Sequence, residues 1–172
     1  MREVIGARGH IRDVSGFLSK VQEAAVRHRL MIQVLDAEMV YGRLHLLSAY
    51  DHAVRAFHEK TQATNSLGLE TLLYASGESQ IQKALAKMGV KPETTCIAVV
   101  IGGEKDFSAN LDAVLSDLFS GIGFVRDDTV LEGDRETLRR FGVSDQEAAT
   151  VTEERYGDLI LEKVAMVDVL KR

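Results

Sequence analysis

The sequence predicts a single layered domain of the α/β class, with α+β as the alternative, in which helices flank a small mixed sheet. Three observations support this fold class. Short runs of branched apolar residues, typical of strands, alternate along the chain with longer segments of helical periodicity. The chain has 172 residues, which is the length of one ordinary domain. Neither a repeat nor a linker divides the sequence, so residues 1–172 are expected to fold as one unit.

Three segments have the composition of β-strands. Residues 2–9 end at a glycine, and residues 31–36 are rich in branched apolar side chains. Residues 95–101 form an apolar run rather than an alternating pattern, which indicates burial on both faces of the sheet. This third segment is the strongest strand prediction, and Gly102 and Gly103 are expected to end it.

Helical periodicity and capping residues predict the rest of the domain. Asp13 or Ser15 caps the first helix, and residues 144–147 form a capping box with serine at the N-cap and glutamate three residues later. A break at residues 75–77 ends another helical segment. The predicted helices are, in order, the one after Asp13 or Ser15, 43–63, 67–73, one that ends at Gly89, 111–119 and 153–170.

The composition is typical of a protein from a reducing cytosol. Cys96 is the only cysteine, so an intramolecular disulfide is excluded, and its place in an apolar strand predicts an inert thiol. The longest apolar run has six residues, whereas a transmembrane helix needs about 20. The first residues lack the apolar core of a secretory signal. We therefore expect a soluble, cytoplasmic protein with no membrane partner.

The net charge of −5 is unevenly distributed along the chain. Residues 1–91 contain 12 basic and 9 acidic side chains, a charge of +3, together with all five histidines. Residues 92–172 contain 9 basic and 17 acidic side chains, a charge of −8. This division suggests that the two halves present different surfaces to different partners. The alternative is an acidic surface that serves solubility alone.

Candidate catalytic and metal-binding residues are few. His45 and His52 are seven residues apart, which on a helix separates them by about 10 Å along the axis, too far to bind one metal ion. His58 lies off their shared face, so all three histidines are interpreted as surface residues. No serine stands in a recognised nucleophile motif. The sequence therefore predicts no catalytic residue, no metal site and no cofactor.

Gly102 and Gly103 support an alternative function. Glycines that follow a buried strand and precede a helix bind phosphate in many α/β proteins. Here Glu104 and Asp106 follow them, and the sequence matches neither of the common glycine-rich nucleotide motifs. A tight turn is the simpler interpretation, and a small-molecule or enzyme pocket near Gly102 is the alternative.

The last predicted helix is unusually apolar. Ten of the fifteen residues from 156 to 170 are apolar, and at 100° per residue they cover more than half of the helix circumference. Such a helix is either buried in the middle of the domain or shared between the core and a partner. Because it is the last helix of the sequence, it is more easily placed at the surface than in the middle of the domain. We therefore favour a helix that is shared between the core and a partner.

Two stretches resemble one known family. Residues 69–81 read Leu-Glu-Thr-Leu-Leu-Tyr-Ala-Ser-Gly-Glu-Ser-Gln-Ile, which resembles the L-E-x-L-L-Y-x-S-G-x-R-Q-I signature of the small KEOPS-complex subunits, relatives of p53-related-protein-kinase-binding protein. Residues 45–57 resemble the H-[IL]-x-x-A-x-x-x-A-x-x-A helix of the same family. The resemblance covers nearly the whole chain, is most specific over residues 45–90, and indicates the compact archaeal form.

The resemblance implies a non-catalytic function. KEOPS makes N6-threonylcarbamoyladenosine in tRNA, and a separate subunit transfers the threonylcarbamoyl group. The subunit resembled here binds the small atypical kinase, which acts as an ATPase, and helps to recruit tRNA by its 3′ CCA end. Its association with the transferase subunit is indirect.

The resemblance also implies two sets of contact residues. In the loop of residues 76–81, Gly77 would let an RNA end approach the backbone, Gln80 would bond a base edge, and Ile81 would support a stacked base. Ser79 stands where the family has arginine, and Glu78 where a basic residue is common, so Lys83 and Lys87 are the candidates to replace the missing positive charge. The alternative interpretation is that Ser76 and Gly77 only end a helix. The residues expected to contact tRNA are Lys60, Gly77, Ser79, Gln80, Ile81 and Lys83. The residues of the last helix expected to contact the kinase are Ile160, Val164, Val167 and Leu170.

Overall fold

The computed structural model describes residues 1–171, which form four strands and eight α-helices. The strands are β1 (Arg2–Arg8), β2 (Met31–Asp36), β3 (Cys96–Gly102) and β4 (Val125–Arg126). The helices are α1 (Val14–His28), α2 (Gly42–Glu59), α3 (Leu67–Ser76), α4 (Ile81–Met88), α5 (Leu111–Ile122), α6 (Arg135–Phe141), α7 (Asp145–Ala148) and α8 (Tyr156–Leu170). None of these helices combines the length and hydropathy that crossing a bilayer requires.

The sheet is antiparallel throughout its order β2-β3-β1-β4, so the predicted mixed sheet is corrected and the fold is of the α+β kind. β1 and β2 are joined through α1 and run in the same direction, as in a parallel crossover. However, β3 lies between them and pairs with both, for example at Val4 with Val100 and at Val34 with Val99. Because β3 comes from much later in the chain, local patterns did not reveal this order.

Burial of β3 on both faces is confirmed, because successive side chains enter two separate cores. Ile97, Val99 and Ile101 belong to a core closed by α1 and α5. Ala98 and Val100 belong to a larger core closed by α2, α3, α4, α6 and α8. The two cores are the physical reason for the apolar run in the sequence.

The helix ends follow the predicted capping chemistry. The carboxylate of Asp13 accepts a hydrogen bond from the Ser15 backbone N–H at 3.1 Å, and Ser144 and Glu147 form the predicted capping box. α2 ends at Glu59, earlier than predicted, because Lys60 adopts a left-handed conformation with φ of 59°. α3 continues to Ser76, past the predicted end at residue 73.

The environment of Cys96 differs from the expected one. Cys96 is the first residue of β3 and is only partly buried. Its Sγ atom lies 3.3 Å from the Nη1 atom of Arg8 on the neighbouring strand. A thiol at the end of the sheet beside a guanidinium is accessible to solvent, which corrects the expectation of a thiol enclosed by apolar groups.

Candidate functional site

The helix α8 has one face in the core and an opposite apolar face in solvent. Its buried side chains are Tyr156, Ile160, Val164 and Val167. On the other side, Met166, Val169 and Leu170 are 43%, 58% and 54% exposed. These three residues are spaced as i, i+3 and i+4, so they are neighbours on the helix surface. We call them the exposed α8 face.

This placement corrects most of the predicted kinase contacts. Ile160, Val164 and Val167 have no accessible surface, whereas Leu170 belongs to the exposed α8 face. A side chain without accessible surface cannot contact a partner while the domain is folded. The helix has two apolar faces, and the spacing of residues alone did not say which of them packs on the domain.

Glu70 of α3 is a fully buried carboxylate that accepts from four donor groups. It accepts hydrogen bonds from the backbone N–H groups of Ala63 and Thr64 at 3.1 and 2.9 Å, and from the Thr64 hydroxyl at 3.0 Å. The ammonium of Lys171, which follows α8, forms a close ion pair with it. A buried carboxylate needs this number of partners, because an unpaired charge in the interior is strongly unfavourable.

Tyr74, one turn further along α3, connects to the same end of α8. Its hydroxyl donates to the Asp168 carboxylate and accepts from the Lys171 ammonium at 3.2 Å. Burial, followed by the hydrogen bond to Asp168, raises the pKa of Tyr74, so the hydroxyl keeps its proton. The Lys171 ammonium also lies 4.4 Å from the centre of the Tyr74 ring. We call Glu70, Tyr74, Asp168 and Lys171 the α3–α8 polar cluster.

Asp168 also binds two side chains of α2. The Nη2 atom of Arg55 and the Nδ1 atom of His52 lie 2.9 and 3.1 Å from its Oδ2 atom. Although burial raises the pKa of Asp168, the hydrogen bonds from Tyr74, His52 and Arg55 outweigh it and hold this pKa below its usual value. Asp168 is therefore a carboxylate that joins α2, α3 and α8.

The loop expected to contact RNA begins at Gly77, which ends α3 in a left-handed conformation with φ of 70°. The Ser76 hydroxyl, fully buried before it, donates to the Leu73 carbonyl oxygen at 2.8 Å. Ser79 and Ile81 are half-buried and Gln80 is exposed. This turn places a glycine backbone and a glutamine amide together at the surface.

Most of the lysine side chains around this loop are already paired with carboxylates. Lys87 of α4 lies 3.5 Å from the Glu78 carboxylate and 4.0 Å from the centre of the Phe141 ring. Burial lowers the pKa of Lys87, and Glu78 opposes that effect. On α8, Lys163 pairs with Glu147 at 2.6 Å. Lys83, in contrast, is exposed and has no carboxylate partner within residues 1–171.

Lys60 lies at the opposite end of the helical hairpin from the loop. α2 and α3 are antiparallel, because the start of α2 contacts the end of α3 through His45 and Ala75. Lys60 follows α2 and is therefore near the start of α3, whose ten residues span about 15 Å. The expected grouping of Lys60 with residues 77–83 is corrected.

His45 is buried, so its interpretation as a surface residue is wrong. Its Nδ1 atom accepts a hydrogen bond from the Tyr41 backbone N–H at 3.2 Å, so the proton is on Nε2, which donates to the Ala75 carbonyl oxygen at 2.8 Å. Burial lowers the pKa of His45 to about 4, which keeps the ring neutral. His58 is exposed, as predicted, and His52 is partly buried beside Asp168.

The alternative pocket near Gly102 corresponds to two open cavities of about 510 and 620 Å³. They share the walls formed by Tyr50, Leu67, Gly103 and Glu104. Their charged walls are of mixed sign, and in the first cavity Arg2 already pairs with Asp51 at 2.7 Å. Within residues 1–171, no three His, Cys, Asp or Glu side chains are grouped as a metal would require.

Sequence reasoning missed the α3–α8 polar cluster and the outward position of Met166 and Val169. The available signal for the cluster was Glu70, a single charge in an otherwise apolar helical segment. A buried carboxylate requires a cation, and Lys171 follows the other apolar helix. For the exposed α8 face no sequence signal was available, since both faces of that helix are apolar.

A family model and an archaeal relative match this chain over most of its length. The family model described as "Kinase binding protein CGI-121" matches residues 11–167, which include all eight helices except the last three residues of α8. "Regulatory protein Cgi121" of Methanocaldococcus jannaschii is 28% identical to this chain over 163 residues, which cover 94% of this chain and 98% of the relative. Because the family match extends over nearly the whole domain, this chain belongs to the CGI-121 kinase-binding protein family.

Proposed function

We propose that this chain is a regulatory, non-catalytic subunit of a cytoplasmic KEOPS complex, in which it binds the small atypical kinase and helps to recruit tRNA. The family and the name of the archaeal relative support the kinase-binding part. The resemblance of residues 69–81 to the KEOPS subunit signature supports the tRNA part. In this proposal the chain does not contact the transferase subunit, which completes N6-threonylcarbamoyladenosine, and associates with it only through the other subunits.

The exposed α8 face is the observation that carries the kinase-binding proposal. Met166, Val169 and Leu170 form a continuous apolar surface on one helix, whereas exposed Val26 and Leu44 stand on different helices. Neighbouring apolar side chains that remain exposed in a folded domain are typical of interaction surfaces. We therefore assign the kinase contact to the exposed α8 face in place of the buried residues.

The loop of residues 77–81, with Lys83 beside it, is the proposed contact for the tRNA 3′ end. Gly77 shapes this loop through its left-handed conformation, and its missing side chain faces Lys163 and Phe141 of the domain rather than solvent, which corrects the expectation that it opens space for an RNA end. The exposed amide of Gln80 offers both a donor and an acceptor to a base edge, and Lys83 offers an unpaired cation to a phosphate. Ile81 packs partly against the core, so only its outer part is available to a stacked base.

The test is a pair of binding measurements with the purified full chain. Isothermal titration with the small kinase from the same cell is expected to show binding that Met166→Glu removes and that the control Val26→Glu leaves unchanged. A gel-shift assay is expected to show that removal of the CCA end weakens tRNA binding. Kinase binding that survives Met166→Glu contradicts the docking surface, and equal binding of intact and trimmed tRNA contradicts the RNA contact.

The cavities beside Gly103 support a second candidate function, the binding of a small molecule. Mass spectrometry of the native protein separates the two functions. A metabolite that co-purifies with the chain and is lost in Gly103→Leu favours the second, because the added Cβ would meet Leu30 at 2.7 Å and crowd the larger cavity. Its absence from protein that binds the kinase favours the first.

A further inference from the structure

The exposed α8 face lies in the part of a helix that is least stable by itself. The last four carbonyl groups of an α-helix have no partner within the helix, and helix ends open more easily than helix centres. Val169 and Leu170 are the last two residues of α8. Without contacts outside the helix, this apolar surface would be held in one geometry only part of the time.

The α3–α8 polar cluster supplies those outside contacts. Lys171 and Asp168 extend from the end of α8 toward the domain. Glu70 of α3 binds Lys171, and Tyr74 binds both of them. The Lys171 side chain is only 8% exposed and lies over the Tyr74 ring. Both sides of the cluster thus hold the last turn of α8 against α3.

Contacts that do not involve α8 hold the α3 side of the cluster in place. Three donors from residues 63 and 64 hold the Glu70 carboxylate within its own hairpin. The Tyr74 ring is buried in the larger core, and its centre lies 5.3 Å from that of the His52 ring of α2. The cluster therefore has a defined geometry, into which Lys171 and Asp168 fit.

We infer that Glu70 and Tyr74 are positioning residues for the docking surface: through Lys171 and Asp168 they order the last turn of α8, so that the exposed α8 face is formed before a partner arrives. This inference rests on the proposed docking of the kinase at that face. The first part of the family motif, residues 69–74, then acts from the opposite side of α8 and does not contact the kinase itself. An interface that is already ordered binds more tightly, because no ordering entropy is lost on association.

The test removes the Lys171 charge and leaves the exposed α8 face unchanged. In Lys171→Met, we expect amide hydrogen exchange at residues 168–170 to accelerate by at least about tenfold, with unchanged exchange in β3. We expect affinity for the small kinase to fall by about tenfold. Calorimetry should show this loss as a less favourable entropy of binding, because the last turn of α8 must then become ordered on association. Lys171→Arg, which keeps the cation, is expected to retain most of the slow exchange at residues 168–170 and most of the affinity for the kinase. Lys20→Met, at an exposed position of α1, is the matched control and is expected to change neither.

The outcomes separate this inference from the docking surface. Loss of kinase binding in Met166→Glu without any loss in Lys171→Met overturns the positioning role alone. Faster exchange at residues 168–170 with unchanged affinity also overturns it, since the cluster would then serve only stability. Full binding by both variants overturns the docking surface, and the positioning role with it.

Discussion

The Nε2 atom of His45 lies 2.8 Å from the carbonyl oxygen of Ala75, so one neutral imidazole joins the start of α2 to the end of α3. Both nitrogen atoms of the neutral ring are used, because Nε2 donates to Ala75 and Nδ1 accepts from the Tyr41 backbone N–H. This bond lies immediately before Ser76 and Gly77, where the loop proposed to contact RNA begins. Protonation of the ring would keep the bond to Ala75 but would remove the acceptor of the Tyr41 N–H, so the neutral ring is the form that this packing requires.

Acidification is expected to destabilise the domain through His45. Its folded-state pKa of about 4 is below the usual histidine value of 6.5, so the unfolded chain binds a proton first as the pH falls. The free energy of unfolding should decline between pH 6.5 and pH 4, by about 3 kcal/mol in total from this residue. Urea unfolding across this range, compared with His45→Gln, measures the effect. Identical pH profiles for the two proteins would show that His45 titrates normally.

A buried and an exposed position on α8 should respond differently to the same substitution. Val164→Glu places an unpaired carboxylate in the larger core and is expected to lower the free energy of unfolding by at least about 3 kcal/mol. Met166→Glu adds the same group on the exposed face, where stability is expected to change by less than about 0.5 kcal/mol. Thermal melts followed by circular dichroism compare the two. Equal losses of stability would contradict the assignment of the faces.

Two lysines should differ in their effect on tRNA binding. Lys83 lies beside the loop of residues 77–81, whereas Lys60 lies at the far end of α3. Lys83→Gln is expected to weaken tRNA binding about three- to tenfold and to reduce its salt dependence by one phosphate contact. Lys60→Gln is expected to leave binding at this loop unchanged. Gel shifts at several salt concentrations measure both, and a larger effect of Lys60 would relocate the RNA contact.

Removal of the Glu78 charge is expected to strengthen tRNA binding. Glu78 pairs with Lys87 and thereby competes with any phosphate for that cation. In Glu78→Gln, affinity should rise about threefold, with a steeper salt dependence. Glu23→Gln, an exposed position of α1, is the charge-matched control. Weaker binding in Glu78→Gln than in the control would mean that the pair holds the loop in its active shape.

The sequence predicts that β1, β2 and β3 exist, but it does not predict the two-residue strand β4 or the order and direction of the strands. The run from Cys96 to Ile101 shows in its composition that both faces are covered, because every side chain must be apolar when two cores meet at one strand. That β3 separates β1 from β2 depends on long-range packing, which leaves no local pattern. Capping by Asp13 and by Ser144 was predictable, since a cap depends only on adjacent residues.

The candidate site was predictable only in part for a similar reason. Apolar residues cover α8 on two sides, so the sequence indicated a shared helix and left its orientation open. His45 was misjudged because a polar residue in an amphipathic helix normally faces water, and its two backbone partners become visible only when α2 and α3 pack together. The distance between Lys60 and the loop follows from the antiparallel hairpin, which the motif spacing does not contain.

The central position of β3 has a consequence for how this chain folds during synthesis. β1 and β2 each take their main hydrogen-bonding partner from β3, so neither can join a sheet until residues 96–102 have left the ribosome. Until then, helices α1 to α4 have no sheet to cover, and their apolar faces are exposed to other proteins in the cell. The first half of the chain is therefore expected to need protection from aggregation until the middle strand is made.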